Sequence, residues 1–255
     1  MSKSNKEYGV EVLEAAGATS FLLNTSTVID AGSLMRTLKE DSIHIENIWL
    51  THSHLDHIVD IAYILDSYYR IRTKSLRIYG LAQTIEAIQK NFLNDVIWPD
   101  FSKINLFGQK EKVVIYEVIE VEKKYSISIS ESLEAFYTDH TVECCGYIYI
   151  KNNKALAISS DTYSLSAIQE IIEKNDAING LIVECSFPNC MKDLAYDSKH
   201  LTPELLFKQL NLFNRRDFSL YLNHIKPIYE KETIADIKQN RGNWQLQIIK
   251  NREIL

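Results

Sequence analysis

Thr51-His52-Ser53-His54-Leu55-Asp56-His57 follows directly on the apolar run Ile48-Trp49-Leu50. A buried strand therefore delivers three imidazoles and one carboxylate into a turn. Imidazole nitrogen and carboxylate oxygen are ligands for zinc and similar divalent ions. Alternate side chains of an extended segment share a face, so His52 and His54 can point at one ion. Asp56 and His57 come after the chain turns and can reach a second ion.

Further donors lie outside this cluster. His140 follows the apolar run Leu133–Tyr137, Asp161 follows Ala155–Ile158, and His224 follows Phe218–Leu222. Strand ends gather along one edge of a sheet, which is where α/β enzymes place their sites. One ion then takes His52, His54 and His140, and the other takes Asp56, His57 and His224. Asp161 bridges both with its two oxygens. Two ions about 3.5–4 Å apart can hold a hydroxide between them and stabilise an in-line displacement. His200 stands just before Thr202, a suitable N-cap, and Pro203, a suitable first helical residue. A helix N-terminus favours anions, so His200 is a candidate for contact with a phosphate and for protonating a leaving oxygen. His44, among charged residues and away from any strand end, reads as surface.

Apolar periodicity sets the frame around these residues. Strands are expected at Asn47–Leu50, Leu76–Tyr79, Val113–Val118, Leu133–Tyr137, Gly146–Ile150, Ala155–Ile158, Leu181–Cys185 and Phe218–Leu222. Helices are expected at Ile58–Arg70, Ala82–Leu93, Leu165–Ile172 and Ile228–Gln239, with a long loop from Cys185 to Leu201. Residues 94–110 read as a surface excursion carrying aromatic side chains. Strand runs come first and then alternate with helices, and this scheme occurs twice. Two sheets packed face to face with helices outside fit the order; a single doubly wound sheet fits nearly as well.

Composition narrows the class. The chain has 255 residues, 45% hydrophobic and 24% charged, which suits a soluble globular protein, and no repeat or flexible linker divides it. No apolar run is long enough to span a membrane. The N-terminus MSKSNKEYGVEVLEAAG is polar where a signal peptide needs an apolar stretch, so the cytoplasm is the expected compartment. A net charge of -6 without a basic stripe argues against a nucleic-acid partner. The four cysteines form no CxxC pair; Cys144, Cys145 and Cys185 read as core filler in a reducing compartment.

The run His52-x-His54-x-Asp56-His57, with His140, Asp161 and His224, resembles the metallo-β-lactamase superfamily. The resemblance implies an α/β fold, an αββα sandwich forming a single domain over 1–255, and a dinuclear metal hydrolase. Finer features are similar to the class II cyclic-nucleotide phosphodiesterases. These are Thr51-His52-Ser53-His54-Leu55-Asp56-His57-Ile58, Ile97-Trp98-Pro99, and His140-Thr141 followed by Gly146-Tyr147. Glu184-Cys185-Ser186-Phe187-Pro188, His200-Leu201-Thr202-Pro203 and His224-Ile225-Lys226-Pro227 complete the set. One departure is Val59-Asp60-Ile61-Ala62, which replaces a small, Gly/Ser-rich continuation.

That resemblance implies hydrolysis of the 3′,5′-cyclic phosphodiester of cAMP or cGMP to the 5′-nucleotide. The attacking hydroxide bridges two metal ions, zinc first, with manganese or iron as alternatives. Asp56 also orients the hydroxide, and His200 contacts the phosphate and assists the departing 3′ oxygen. Trp98, Phe101 and Phe187 are candidates to stack on the base. The expected partner is a small cyclic nucleotide, with no nucleic acid and no membrane, and a homodimer is the commonest assembly. The alternative is an RNase Z-like tRNA 3′-processing endonuclease, which would need a protruding arm that this sequence does not display. A third reading, a non-catalytic nucleotide-sensing scaffold, would be marked by a lost ligand, and none is lost.

Overall fold

The structure is a computed structural model that describes residues 7–255. Residues 1–6, the start of the polar N-terminus discussed above, lie outside the described residues. In chain order the elements begin β1 (Glu11–Glu14), β2 (Ser20–Asn24), β3 (Thr27–Ile29), α1 (Leu34–Leu38) and β4 (Asn47–Trp49). They continue with α2 (Leu55–Tyr68), β5 (Leu76–Gly80), α3 (Ala82–Asn91), β6 (Val114–Val118), β7 (Lys124–Ser126), β8 (Glu131–Thr138) and β9 (Cys144–Lys151). The remainder are β10 (Lys154–Ile158), α4 (Ser166–Lys174), β11 (Ile178–Glu184), α5 (Lys192–Asp197), α6 (Pro203–Leu210), β12 (Ser219–Asn223), α7 (Glu230–Asn240), β13 (Leu246–Ile248) and β14 (Glu253–Ile254).

The described residues gather into two compact units. The first runs to Glu14, from Ala18 to Glu120 and from Asn251 to Leu255; the second comprises Ala15–Gly17 and Val121–Lys250.

The first unit holds a seven-stranded sheet in the order β14-β1-β2-β3-β4-β5-β6. Pairing is antiparallel from β14 to β3 and parallel from β3 to β6. Parallel neighbours need a crossover, and α2 and α3 supply it. The register aligns Val28, Ile48, Ile78 and Tyr116 in one row. Ile58, Ile61 and Leu65 of α2 and Ile85 and Ile88 of α3 pack in the same core as that row. Each such buried side chain contributes about 1.5–3 kcal/mol relative to exposure.

The second unit holds seven strands in the order β13-β12-β11-β10-β9-β8-β7, antiparallel from β7 to β10 and parallel from β10 to β13. Ile148, Ala157, Leu181 and Leu220 align across the sheet. Ile168 and Ile172 of α4, Leu206, Phe207 and Leu210 of α6, and Ile237 of α7 share their core. Thr202 caps α6 as expected, its hydroxyl accepting from Leu205 N at 3.4 Å, with Pro203 at the helix start.

Three expectations change. The second helix begins at Leu55 rather than Ile58, with His54 as its N-cap residue, so Asp56 and His57 lie in its first turn. The ligand motif and the helix start overlap, and the polar side chains masked the helical period. The stretch from Cys185 to Leu201 is not one loop but contains a 3-10 turn and α5. The short strands β7, β13 and β14 were absent from the sequence reading because two or three residues are too few to show a period. Cys144, Cys145 and Cys185 are buried free thiols, as expected. His44 is exposed. Among the described residues no helix is long and apolar enough to cross a membrane.

Candidate metal centre

In the first unit the strand β4 ends at Trp49, and Thr51 is tied to the end of β3. Thr51 N and Oγ1 both donate to the Asp30 carboxylate, at 2.8 Å and 2.9–3.1 Å. The same carboxylate lies 2.7 Å from His57 Nδ1. A carboxylate there holds the proton on Nδ1 and leaves the Nε2 lone pair for an ion. Nε2 of His57 lies 3.8 Å from Asp56 Oδ2, so these neighbours present their donors together. His52 Nδ1 is 2.9 Å from Thr51 Oγ1, which again leaves Nε2 as the ligand atom. That Nε2 lies 3.0 Å from His54 Nδ1. Two nitrogens on one tetrahedral zinc, with bonds of about 2.0–2.1 Å, stand roughly 3.3 Å apart. The donor set and its spacing fit a divalent ion.

Asp30 was missed by the sequence reading, although it stands at a strand end like the residues that were found. It is 1% exposed, and burial pushes its carboxyl above the usual range while His57 and Thr51 pull it back. Gly32 is the second missed residue. A Cβ there would meet the Asp56 carbonyl at 1.9 Å, so only glycine lets the loop after β3 approach the ligand turn. Ala31 N donates to the His57 carbonyl at 2.7 Å, and Asp60 N donates to the Ala31 carbonyl at 2.9 Å. Asp60, the departure from the family pattern, has a structural task. Its carboxylate accepts from Met35 N at 2.7 Å and so caps α1, where Ser33 makes no side-chain cap bond.

In the second unit the donors come from separate strand ends: His140 after β8, Asp161 after β10, Glu184 at the end of β11 and His224 after β12. His224 Nε2 lies 3.4 Å and His140 Nε2 4.0 Å from Asp161 Oδ2, so two imidazoles approach one buried carboxylate. His140 Nδ1 is 3.1 Å from the Lys199 carbonyl, which directs Nε2 inward. Lys226 Nζ is 3.0 Å from His224 Nε2. His140, Asp161 and His200 also offer ligand atoms within 4.8 Å of one another.

His200 is anchored by Glu184, a residue of the quoted Glu184–Pro188 segment to which the sequence assigned no role. Its Nδ1 lies 2.8 Å from Glu184 Oε1 and 3.2 Å from Ser186 Oγ. Glu184 also accepts from Thr162 N, Ser186 N, Ser186 Oγ and Leu201 N. A buried carboxylate left unpaired would be costly, and this one is saturated. Burial alone would raise the Glu184 carboxyl and lower His200. Their mutual charge and hydrogen bond outweigh burial, so Glu184 sits below and His200 above its ordinary range.

The backbone is strained where the donors turn inward. Asp30, Ser160, Lys199 and His224 all have φ between 56 and 58°. Left-handed backbone is uncommon outside glycine and is kept where the surroundings over-determine it.

The aromatic candidates divide. Phe187 is 8% exposed, its ring centre 5.7 Å from that of His200 and 6.1 Å from that of Tyr229. Trp98 packs on the core of the first unit with Tyr63 at 6.0 Å. Phe101 is 5% exposed inside that core, beside Tyr69. Phe101 and Phe187 are thus both largely enclosed, the first in the core of its unit and the second beside His200.

A family model described as class-II cAMP phosphodiesterases matches residues 11–164. A 3′,5′-cyclic-nucleotide phosphodiesterase 1 of Saccharomyces cerevisiae is 26% identical over 238 residues, covering 76% of this chain and 63% of the relative. A ribonuclease Z of Thermococcus onnurineus is 29% identical over 121 residues, covering 47% of this chain and 35% of the relative. The chain thus spans about three fifths of the length of the phosphodiesterase relative and less of the ribonuclease. Among solved structures, unliganded yeast PDE1 is similar with a TM-score of 0.75 and 19% identity, over 95% of this chain and 97% of that one. The metallo-β-lactamase fold protein YhfI of Bacillus subtilis has a TM-score of 0.69 and 16% identity, over 96% of each chain.

Proposed function

The chain belongs to the class-II cAMP phosphodiesterase family and has the α/β metallo-β-lactamase fold, and from that premise we propose that it hydrolyses 3′,5′-cyclic nucleotides, cAMP or cGMP, to 5′-nucleotides with two divalent ions. The observation that supports the reading is that a buried carboxylate stands behind two of the candidate histidines, Asp30 behind His57 and Glu184 behind His200.

In this reading His52, His54 and His140 hold one ion, Asp56, His57 and His224 the other, and Asp161 serves both. Zinc is the proposed metal, with manganese or iron as alternatives, since His/Asp sites accept several. When bound, such ions lower the pKa of a shared water toward about 7 and neutralise phosphoryl oxygens as charge develops. His200 contacts the phosphate and protonates the departing 3′ oxygen from its Nε2 side. Glu184 holds the His200 ring in orientation and favours its charged form. Asp56 orients the attacking oxygen. Phe187, beside His200, and Trp98 are the proposed contacts to the base and ribose.

The reading further places the protein in the cytoplasm as one hydrolase domain, acting on a small nucleotide without a nucleic-acid or membrane partner, as a homodimer. RNase Z is the weaker alternative, because its relative matches less than half of the chain.

Turnover of cAMP and cGMP by zinc-loaded protein tests this. We expect 5′-nucleotide product that disappears on chelation. His200→Ala should keep both ions and slow turnover by the roughly 10²–10⁴-fold typical of general acid–base catalysis. Two bound ions without any cyclic-nucleotide turnover would overturn the reading, and a lost ion in His200→Ala would make His200 a ligand.

A further inference from the structure

Within the second unit, beside His140 and His200, lies an arrangement that the metal chemistry does not use. The rings of Tyr163 and Tyr196 meet edge to face, with centres 5.5 Å apart and planes at 83°. Lys199 Nζ lies 5.3 Å from the Tyr163 ring centre and 5.9 Å from that of Tyr196. The same ammonium is 3.4 Å from Asp139 Oδ2. Tyr196 is 59% exposed, Asp139 is exposed, and Tyr163 and Lys199 are half-buried. Two aromatic faces, one cation and one anion therefore converge where solvent reaches them.

This group is tied to the candidate ligands on every side. Asp139 precedes His140, and Lys199 precedes His200. Tyr163 N, two residues past Asp161, donates to the Asp139 carbonyl at 2.8 Å. The Lys199 carbonyl lies 3.1 Å from His140 Nδ1, and Lys199 N donates to the Tyr196 carbonyl at 3.2 Å. Lys199 holds φ +56°, so the loop is fixed in a conformation its side chain does not favour.

We propose that Asp139, Tyr163, Tyr196 and Lys199 recognise the purine base of the nucleotide and favour guanine. The proposal rests on the phosphodiesterase reading for the nucleotide itself. Every base offers a π face, which an exposed tyrosine can stack upon. Guanine presents an acceptor, O6, beside two donors, N1–H and N2–H, along one edge. A carboxylate accepts two adjacent donors as a fork, and an ammonium beside it donates to the acceptor. Adenine presents one donor, N6–H, and one acceptor, N1, on the matching edge. The Asp139–Lys199 pair therefore makes three charge-assisted bonds with guanine and two with adenine.

Calorimetric titration of metal-loaded protein with 5′-GMP, 5′-AMP and ribose 5-phosphate tests this. Wild type should bind GMP most tightly and ribose 5-phosphate most weakly. Tyr196→Ala should weaken both nucleotides roughly 5- to 150-fold, the range of one base–aromatic stack, and leave ribose 5-phosphate as in wild type. Tyr196→Phe keeps the ring and should keep the affinity. Asp139→Ala should bring GMP to the level of AMP. Equal binding of all three ligands by wild type, or Tyr196→Ala and Asp139→Ala proteins that bind the nucleotides as wild type does, would overturn the proposal. Failure of the catalytic reading looks different: discrimination of GMP from ribose 5-phosphate would persist in a protein that hydrolyses neither cyclic nucleotide.

Discussion

In the first unit His52, His54, Asp56 and His57 come from one turn and the first turn of α2. In the second, His140, Asp161 and His224 come from the ends of β8, β10 and β12. A contiguous set is positioned by local geometry: alternation along an extended segment, then the start of a helix. A scattered set exists only once β8, β10 and β12 have taken their places in one sheet. The first arrangement is robust and conspicuous, and the second depends on distant pairing. Each unit also buries a carboxylate outside the ligand list, Asp30 behind His57 in one and Glu184 behind His200 in the other.

The scattered set should break most easily. Asp161 faces both His140 and His224, so no neighbour substitutes for it. Asp161→Ala is expected to lose metal and to reduce hydrolysis by orders of magnitude, with an unchanged far-ultraviolet circular dichroism spectrum. Near-normal turnover would remove Asp161 from the centre.

A smaller effect asks whether the contiguous set is self-sufficient. Asp30→Ala leaves all four ligands in place but removes the partner of His57 and Thr51. Metal affinity should fall by about 10–100-fold, the usual consequence of losing a partner behind a ligand, as read by competition with a chelating dye. Unchanged affinity would mean that the turn orients its own imidazoles.

The smallest effect lies next to the motif. Asp60→Ala removes the cap of α1 and should cost about 0.5–2 kcal/mol of stability in denaturant unfolding, without altering metal content. Burial raises the Asp60 carboxyl in the fold above its ordinary 3.8. The folded state then binds this proton more tightly than the unfolded state. Wild-type stability therefore falls as pH rises from 3.8 through the folded value. Asp60→Asn keeps an acceptor without the charge and should lack that fall. A parallel pH dependence in both proteins would show that Asp60 is not the group responsible.

The same contrast explains what could be read in the sequence. The four contiguous donors stood out as candidates because ligand spacing and strand run adjoin within Asn47–His57, whereas apolar periodicity left two sheet arrangements open and the family resemblance decided between them. His140, Asp161 and His224 were legible through one physical rule, that polar residues just past apolar strands share a sheet edge. Asp30 and Glu184 stand at strand ends as well, but an acid there can be a ligand, a cap or a partner behind a histidine, and sequence does not distinguish these roles. The left-handed backbone at Ser160, Lys199 and His224 left no trace, since none of them is glycine. The start of α2 was hidden because the residues in its first turn were read as ligands rather than as helix.

Both donor sets, one in each unit, are proposed to take up divalent ions. Elemental analysis of purified, active full chain measures it most directly, with His54→Ala and His224→Ala alongside. Wild type should carry two divalent transition-metal ions per chain, and each variant should lose metal. An active wild-type protein without stoichiometric metal, or a His224→Ala protein that retains both ions, would contradict it.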